Sequence, residues 1–186
     1  MRVPLIVRWP GRIPAGVVSD APVNNIGWIP TLLELIGAPV PEGLDGVSFA
    51  AGLLGGSFPS TPIFWHFPHY TNQGGRPTGA MRDGRWTLVE YYDEDRVELY
   101  DLDADIRQRT NVAAQQPERV ARMRSALEAW RRTIGAQSNL PNPACDEALF
   151  RRLYVEVDAS QFNPLTATEA EWAAMQTWRR EMDSLW

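Results

Sequence analysis

Apolar positions recur every three and four residues over 117–134. Val120, Met123, Leu127, Trp130 and Ile134 draw one stripe along one side of a helix. Pro117 stands at its first position, where a missing N–H costs no hydrogen bond, and Gly135 follows its end. A second helix is predicted from Thr168. Thr168-x-x-Glu171 is a capping box, and Trp172, Met175, Trp178, Met182 and Leu185 follow at helical spacing. A third, over 28–36, carries Ile29, Leu32, Leu33 and Ile36, with Pro30 in the first turn and Gly37 as a left-handed stop. Shorter helical pieces are predicted over 49–54 and 146–157, the latter with Phe150 and Leu153 facing in.

Strand patterns lie between the helices. Residues 3–9 form an apolar run stopped by Pro10-Gly11, read as a strand that requires a pairing partner. Residues 78–102 read as an antiparallel meander. Its first turn is at Asp83-Gly84, its middle strand runs from Trp86 to Tyr92, its second turn is Asp93-Glu94-Asp95, and Val97 to Leu102 returns. No internal repeat or low-complexity tract interrupts the chain.

One stretch concentrates the chemistry. Residues 61–70 read Thr-Pro-Ile-Phe-Trp-His-Phe-Pro-His-Tyr and hold both histidines of the protein, His66 and His69, among four aromatic rings. Imidazole is the one side chain that titrates unperturbed near neutral pH. Pro62 and Pro68 argue against a central strand. The pattern predicts a short strand over 62–67 running into a loop that presents His69 and Tyr70, followed by a Gly-rich loop over 72–77. Aromatic rings beside imidazole suit a sugar or aryl ligand. The alternative is a buried aromatic strand whose histidines only donate hydrogen bonds. Metal binding by His66-x-x-His69 is not expected, because Pro68 breaks the helical spacing and no cysteine or carboxylate accompanies the pair.

Composition narrows the classes. The net charge of -5 lacks the basic footprint of a nucleic-acid binder. All 18 basic residues are arginine, so no lysine is present for a Schiff base, a general base or a sulfate contact. The dense arginines over 119–132 read as a solvated helix face. Cys145 is the only cysteine, which excludes an internal disulfide, and its acidic neighbours Asp146 and Glu147 disfavour a thiolate nucleophile. No apolar run approaches the length of a membrane span, and the N-terminus lacks the pattern of a signal peptide.

Several segments together resemble type I sulfatases, the arylsulfatase-like enzymes. Residues 2–11 (Arg-Val-Pro-Leu-Ile-Val-Arg-Trp-Pro-Gly) resemble the strand after the last active-site segment, and 29–37 the next helix. Leu44-Asp45-Gly46-Val47-Ser48 resembles the motif beyond it. Arg82 to Leu88, Glu98 to Leu102 with Asp105, and Thr110-Asn111-Val112-Ala113 resemble the C-terminal hairpin and its link to a helix. Gly27 departs from an acidic cap, and Ile106 and Gln108 replace a proline and a glutamate. The residues after Gln137 resemble extensions of some bacterial members.

The resemblance implies an α/β fold: the end of an alkaline-phosphatase-like sulfatase domain, then a C-terminal α+β subdomain with a small antiparallel sheet covered by a long helix. It divides the chain into a catalytic-domain remnant over 1–60, the subdomain over 61–136 and a helical tail over 137–186. It implies hydrolysis of aryl or carbohydrate sulfate esters by the complete enzyme, with calcium and formylglycine as cofactors of that enzyme and none in this chain. Cys145 is followed by Asp-Glu-Ala-Leu rather than x-Pro-x-Arg, so the nucleophile motif, metal ligands and active-site lysines are expected upstream of Met1. His66, His69, Trp65 and Tyr70 are the expected substrate contacts, and the partners are a sulfated small molecule or glycan and the N-terminal catalytic portion. Neither nucleic acid nor membrane is an expected partner. Complete members are often periplasmic or secreted. A non-catalytic binding domain and an inactive gene fragment are the alternatives.

Overall fold

The computed structural model describes residues 3–57 and 60–185. The chain divides into two compact units, Met1–Ile63 and Phe64–Trp186.

The first unit is built on one threonine. A 3-10 turn, Asn25–Gly27, leads directly into helix α1, Trp28–Leu35. Asn24 supplies the cap that Gly27 cannot, its side chain accepting from the Gly27 N–H. The Thr31 hydroxyl donates to the Gly27 carbonyl at 2.6 Å and accepts from the Phe49 N–H at 3.0 Å, fully buried. Phe49 precedes helix α2, Ala50–Leu53, and meets Trp28 edge to face at 4.9 Å. Gly46 explains the Leu-Asp-Gly motif: a Cβ there would run into the Ile26 carbonyl.

Two expectations for this unit change. Residues 3–9 form no strand, because among the described residues no segment offers them a ladder; Ile6 is 90% exposed. The Arg2 end of that segment lies outside the described residues. The stripe of Ile29, Leu32 and Ile36 faces outward, while Pro30, Thr31 and Leu35 are the buried positions of α1.

The second unit is a sheet under a helix. Strands β1, Ile63–Phe67, β2, Thr78–Asp83, β3, Trp86–Tyr91, and β4, Arg96–Asp101, lie in the order β1-β2-β3-β4. Asp83 pairs with Trp86 across the Gly84 turn, where φ is 56°. Met81, Leu88 and Leu99 sit opposite one another across three strands and are buried. Helix α3, Pro117–Thr133, lays Met123 and Leu127 on that row, with Val120 and Trp130 packed around it, as the stripe predicts. Phe64 stacks on Trp130 at 5.1 Å. The link into α3 has its own logic. The Asn111 side chain accepts from the Leu99 and Ala113 N–H groups, and Asp105 accepts from those of Arg109 and Thr110.

The tail packs on itself and on this unit's loops. Helix α4, Glu147–Phe150, starts at an Asp146 cap and widens into a π-helical turn, Arg151–Val155. Helix α5, Glu169–Asp183, begins with the predicted capping box. Leu153, Trp178 and Met182 form a buried cluster, and the Trp178 indole donates to the Leu153 carbonyl at 2.9 Å. Trp172 and Leu185, at the two ends of the predicted stripe, are exposed.

Replacing Thr31 by valine leaves the buried Phe49 N–H without an acceptor. Thr31→Val is expected to destabilise the first unit by about 1–3 kcal/mol, and Thr31→Ser by less, read as shifts in denaturant midpoint.

Candidate substrate-facing rim

Strand β1 sorts its side chains by alternation. Phe64 and His66 turn toward packed surroundings, whereas Trp65 and Phe67 are exposed. The His69 ring then stands edge-on to Phe67 at 5.4 Å. Trp65, Phe67 and His69 therefore make an open row of aromatic and imidazole rings. No hydrogen bond holds the His69 ring among the described residues.

His66 has two partners instead. Its Nε2 lies 2.9 Å from the Gln137 carbonyl, which can only accept, so Nε2 carries the proton. On the other side of the ring, Nδ1 is hydrogen-bonded to the Tyr92 hydroxyl, also at 2.9 Å. Tyr92 fits there because Gly79 has no side chain; a Cβ would collide with its hydroxyl. The Arg131 guanidinium covers the Tyr92 ring at 4.7 Å. Burial pushes the Tyr92 phenol above its usual pKa, and the hydrogen bond from Arg131 works against that rise.

Tyr70 is equally engaged. Its hydroxyl donates to Asp93 Oδ2 at 3.0 Å, and its ring is edge-on to Phe150 and Tyr154. Arg76 Nε donates to the same Asp93 oxygen at 2.9 Å, and its Nη1 reaches Glu94 at 3.0 Å. Desolvation by burial and then the Asp93 carboxylate push the Tyr70 phenol well above its ordinary pKa. Of the four site residues expected from sequence, Trp65 and His69 thus face outward, while His66 and Tyr70 are bonded inward.

Sequence reasoning missed Arg76, Glu90, Asp93, Arg124 and Arg131. An open depression of about 440 Å³ lies against the β3–β4 turn. On its wall Arg124 donates twice to Glu90 Oε1, at 3.1 and 3.0 Å, and Arg131 reaches Oε2 at 3.3 Å. Four carboxylates, those of Glu90, Asp93, Glu94 and Asp95, line it against these two arginines. Such a balance repels an anion, so the depression is a poor seat for sulfate. The available signal was weak: Arg124 and Arg131 stand seven apart, on one face of α3.

Calcium fits no set of the described residues, and Cys145 does not stand in the formylglycine motif. Among the described residues no group of three or more His, Cys, Asp or Glu could hold a metal ion. Cys145 is exposed, outside the required motif. Among the described residues no helix is long and apolar enough to cross a membrane.

The fold corresponds to a known class. The family described as N-sulphoglucosamine sulphohydrolase, C-terminal, matches residues 1–133, and the chain belongs to that family. A protein named sulfatase from Formosa agariphila is 32% identical over 148 residues, which is 70% of this chain and 27% of that protein. An N-acetylglucosamine-6-O-sulfatase from Bacteroides thetaiotaomicron is 31% identical over 119 residues, 60% of this chain and 21% of that protein. A structure solved with its substrate, D-glucosamine-2-N, 6-O-disulfate, aligns with a TM-score of 0.58 at 27% identity, over 68% of this chain and 27% of that one. The chain spans about a quarter of the length of the relatives it matches.

The tyrosine shifts carry a pH prediction. A phenol whose pKa is higher folded than unfolded keeps its proton longer when folded. Its contribution is complete below the unfolded phenol pKa of about 10 and is lost as pH rises beyond it. Stability is therefore expected to fall above about pH 10, and more shallowly in Tyr70→Phe, measured as denaturant midpoint against pH.

Proposed function

We propose that this chain serves as the C-terminal part of a sulfatase, and that the complete enzyme hydrolyses sulfate esters of carbohydrates. Trp65, Phe67 and His69 line the rim that meets the sugar, while His66 and Tyr70 hold that rim in place. The observation that carries this reading is the open row of Trp65, Phe67 and His69 on β1 and the loop beyond it. Aromatic faces stack on the apolar faces of sugar rings, and an imidazolium attracts a sulfated anion. The named relatives support the substrate class: one is an N-acetylglucosamine-6-O-sulfatase, and one was solved with a disulfated glucosamine.

Chemistry on the ester belongs to the complete enzyme. Calcium and formylglycine would supply charge neutralisation and the nucleophile there; this chain's residues bind and orient. The outward stripe of Ile29, Leu32 and Ile36 is the surface we assign to contact with the catalytic portion.

Removing a hydrogen bond to a charged ligand group from a binding rim costs about 1.5–3 kcal/mol, roughly ten- to hundredfold. In the complete enzyme, His69→Ala is expected to lower kcat/KM on glucosamine 6-sulfate by that factor, chiefly through KM. Trp65→Ala should act in the same direction, and His66→Ala should also lower stability. Wild-type kcat/KM in both His66→Ala and His69→Ala would remove the rim from the reaction. A non-catalytic binding domain is distinguished by titrating the 186-residue chain with the same sugar: measurable binding with no turnover in the reassembled enzyme favours that reading.

A further inference from the structure

The family match ends at residue 133, yet the residues beyond it grip the histidine-bearing stretch at several separate points. The Gln137 carbonyl accepts from His66. Asn139 Nδ2 donates to the Pro68 carbonyl at 3.0 Å. Phe150 and Tyr154 enclose Tyr70, and the Tyr154 hydroxyl reaches the Thr71 carbonyl at 3.3 Å. From α5, Arg179 Nη1 donates to the Asn72 carbonyl at 2.8 Å, and Asp183 accepts from the Asn72 amide. The Trp178 ring lies so near Gly74, which has φ of 79°, that an added Cβ would stand 3.0 Å from it.

These contacts bracket one residue. His69 has no hydrogen bond of its own among the described residues, but Pro68 before it and Tyr70 and Thr71 after it are each tied to the tail. Fixing both flanks of a residue fixes its backbone, and rotamer freedom is all that remains. We infer that the tail is a clamp for the rim, with Asn139, Trp178 and Arg179 as positioning residues that set where His69 is presented. The functional weight of the clamp rests on the rim reading above; the clamp itself does not.

Amide exchange on the full chain tests it without a ligand. The Thr71, Gly74 and Gly75 N–H groups are all bonded within the loop, to the Gly75 carbonyl, the Thr71 carbonyl and the Thr71 hydroxyl. Arg179→Met leaves the Leu153, Trp178 and Met182 cluster in place. It is expected to speed exchange of these three amides about tenfold, while those of Leu88 and Leu99 in the sheet stay unchanged. Arg179→Lys should recover part of the protection. Trp178→Ala should act more strongly, and if it also speeds the sheet amides, Arg179→Met decides. The chain has two histidines, so its imidazole Cε1–H spectrum holds two signals. Asn139→Ala should shift or broaden the His69 signal, and Leu140→Ala, at an 88% exposed position, should not. Unchanged loop exchange and unchanged histidine signals in Arg179→Met and Asn139→Ala would overturn the clamp. In the complete enzyme Arg179→Met should raise KM and spare kcat. An inert His69→Ala beside a loosened loop would sink the rim and leave the clamp standing; the reverse result would do the opposite.

Discussion

A buried carboxylate at the β3–β4 turn organises the second unit. Asp93 is about nine-tenths buried, and so is Arg76, whose guanidinium it receives at 2.9 Å. Taking two charges out of water is costly, and the cost is recovered only by close geometry and further hydrogen bonds. Here the further bonds come from Tyr70 onto Asp93 and from Arg76 onto Glu94. Arg76 is also held between the Tyr91 and Phe150 rings, each 5.6 Å away. One ion pair thus joins the hairpin, the loop after the histidines and the first helix of the tail. Asp93 Oδ1 remains buried without a partner, so the carboxylate depends on Arg76 and Tyr70 for its compensation. A neutral residue at position 76 would leave that charge stranded and release all three segments together.

A second constraint works through size. Gly79 leaves room for the Tyr92 hydroxyl, Tyr92 orients His66, and His66 fastens the backbone of Gln137. His66 is held on both sides, by the Tyr92 hydroxyl at Nδ1 and by the Gln137 carbonyl at Nε2. Arg131 above the Tyr92 ring can still offer its N–H to the hydroxyl oxygen. The histidine that sequence offers as a candidate contact is thereby also a strut, and its donor role is the alternative weighed for the stretch.

Legibility in the sequence followed the range of the interaction. The capping box at Thr168, the stripe of α3, the Gly84 turn and the short strand before Pro68 obey rules spanning a few residues, and all are present. The expectations that changed depend on distant partners. Residues 3–9 have strand composition, but composition cannot supply a ladder. The α1 stripe is outward because Thr31, a polar residue, is the one buried against Phe49. The arginines of α3 read as a solvated face because nothing in a helical period announces Glu90 on a strand 34 residues away. At the rim, the period-two alternation of β1 already separates Trp65 and Phe67 from Phe64 and His66. What it does not contain is the tail that returns from 71 residues downstream to bond His66 and Pro68.

The charge map then bears on how an anion would be recognised. Arginine is the only permanent cation available, and four arginines around the β3–β4 turn are paired to carboxylates: Arg76 to Asp93 and Glu94, Arg96 to Glu94 and Glu98, Arg124 and Arg131 to Glu90. Their charge is spent on holding the fold, which is why an arginine-rich chain can still present a depression with four carboxylates. His69 stands outside this web, exposed beside Phe67. A lone guanidinium attracts any anion, whereas an imidazole on an aromatic row favours an anion that also presents a face to stack on. On the proposed reading a sugar sulfate would offer both a charge and a face, and free sulfate only the charge.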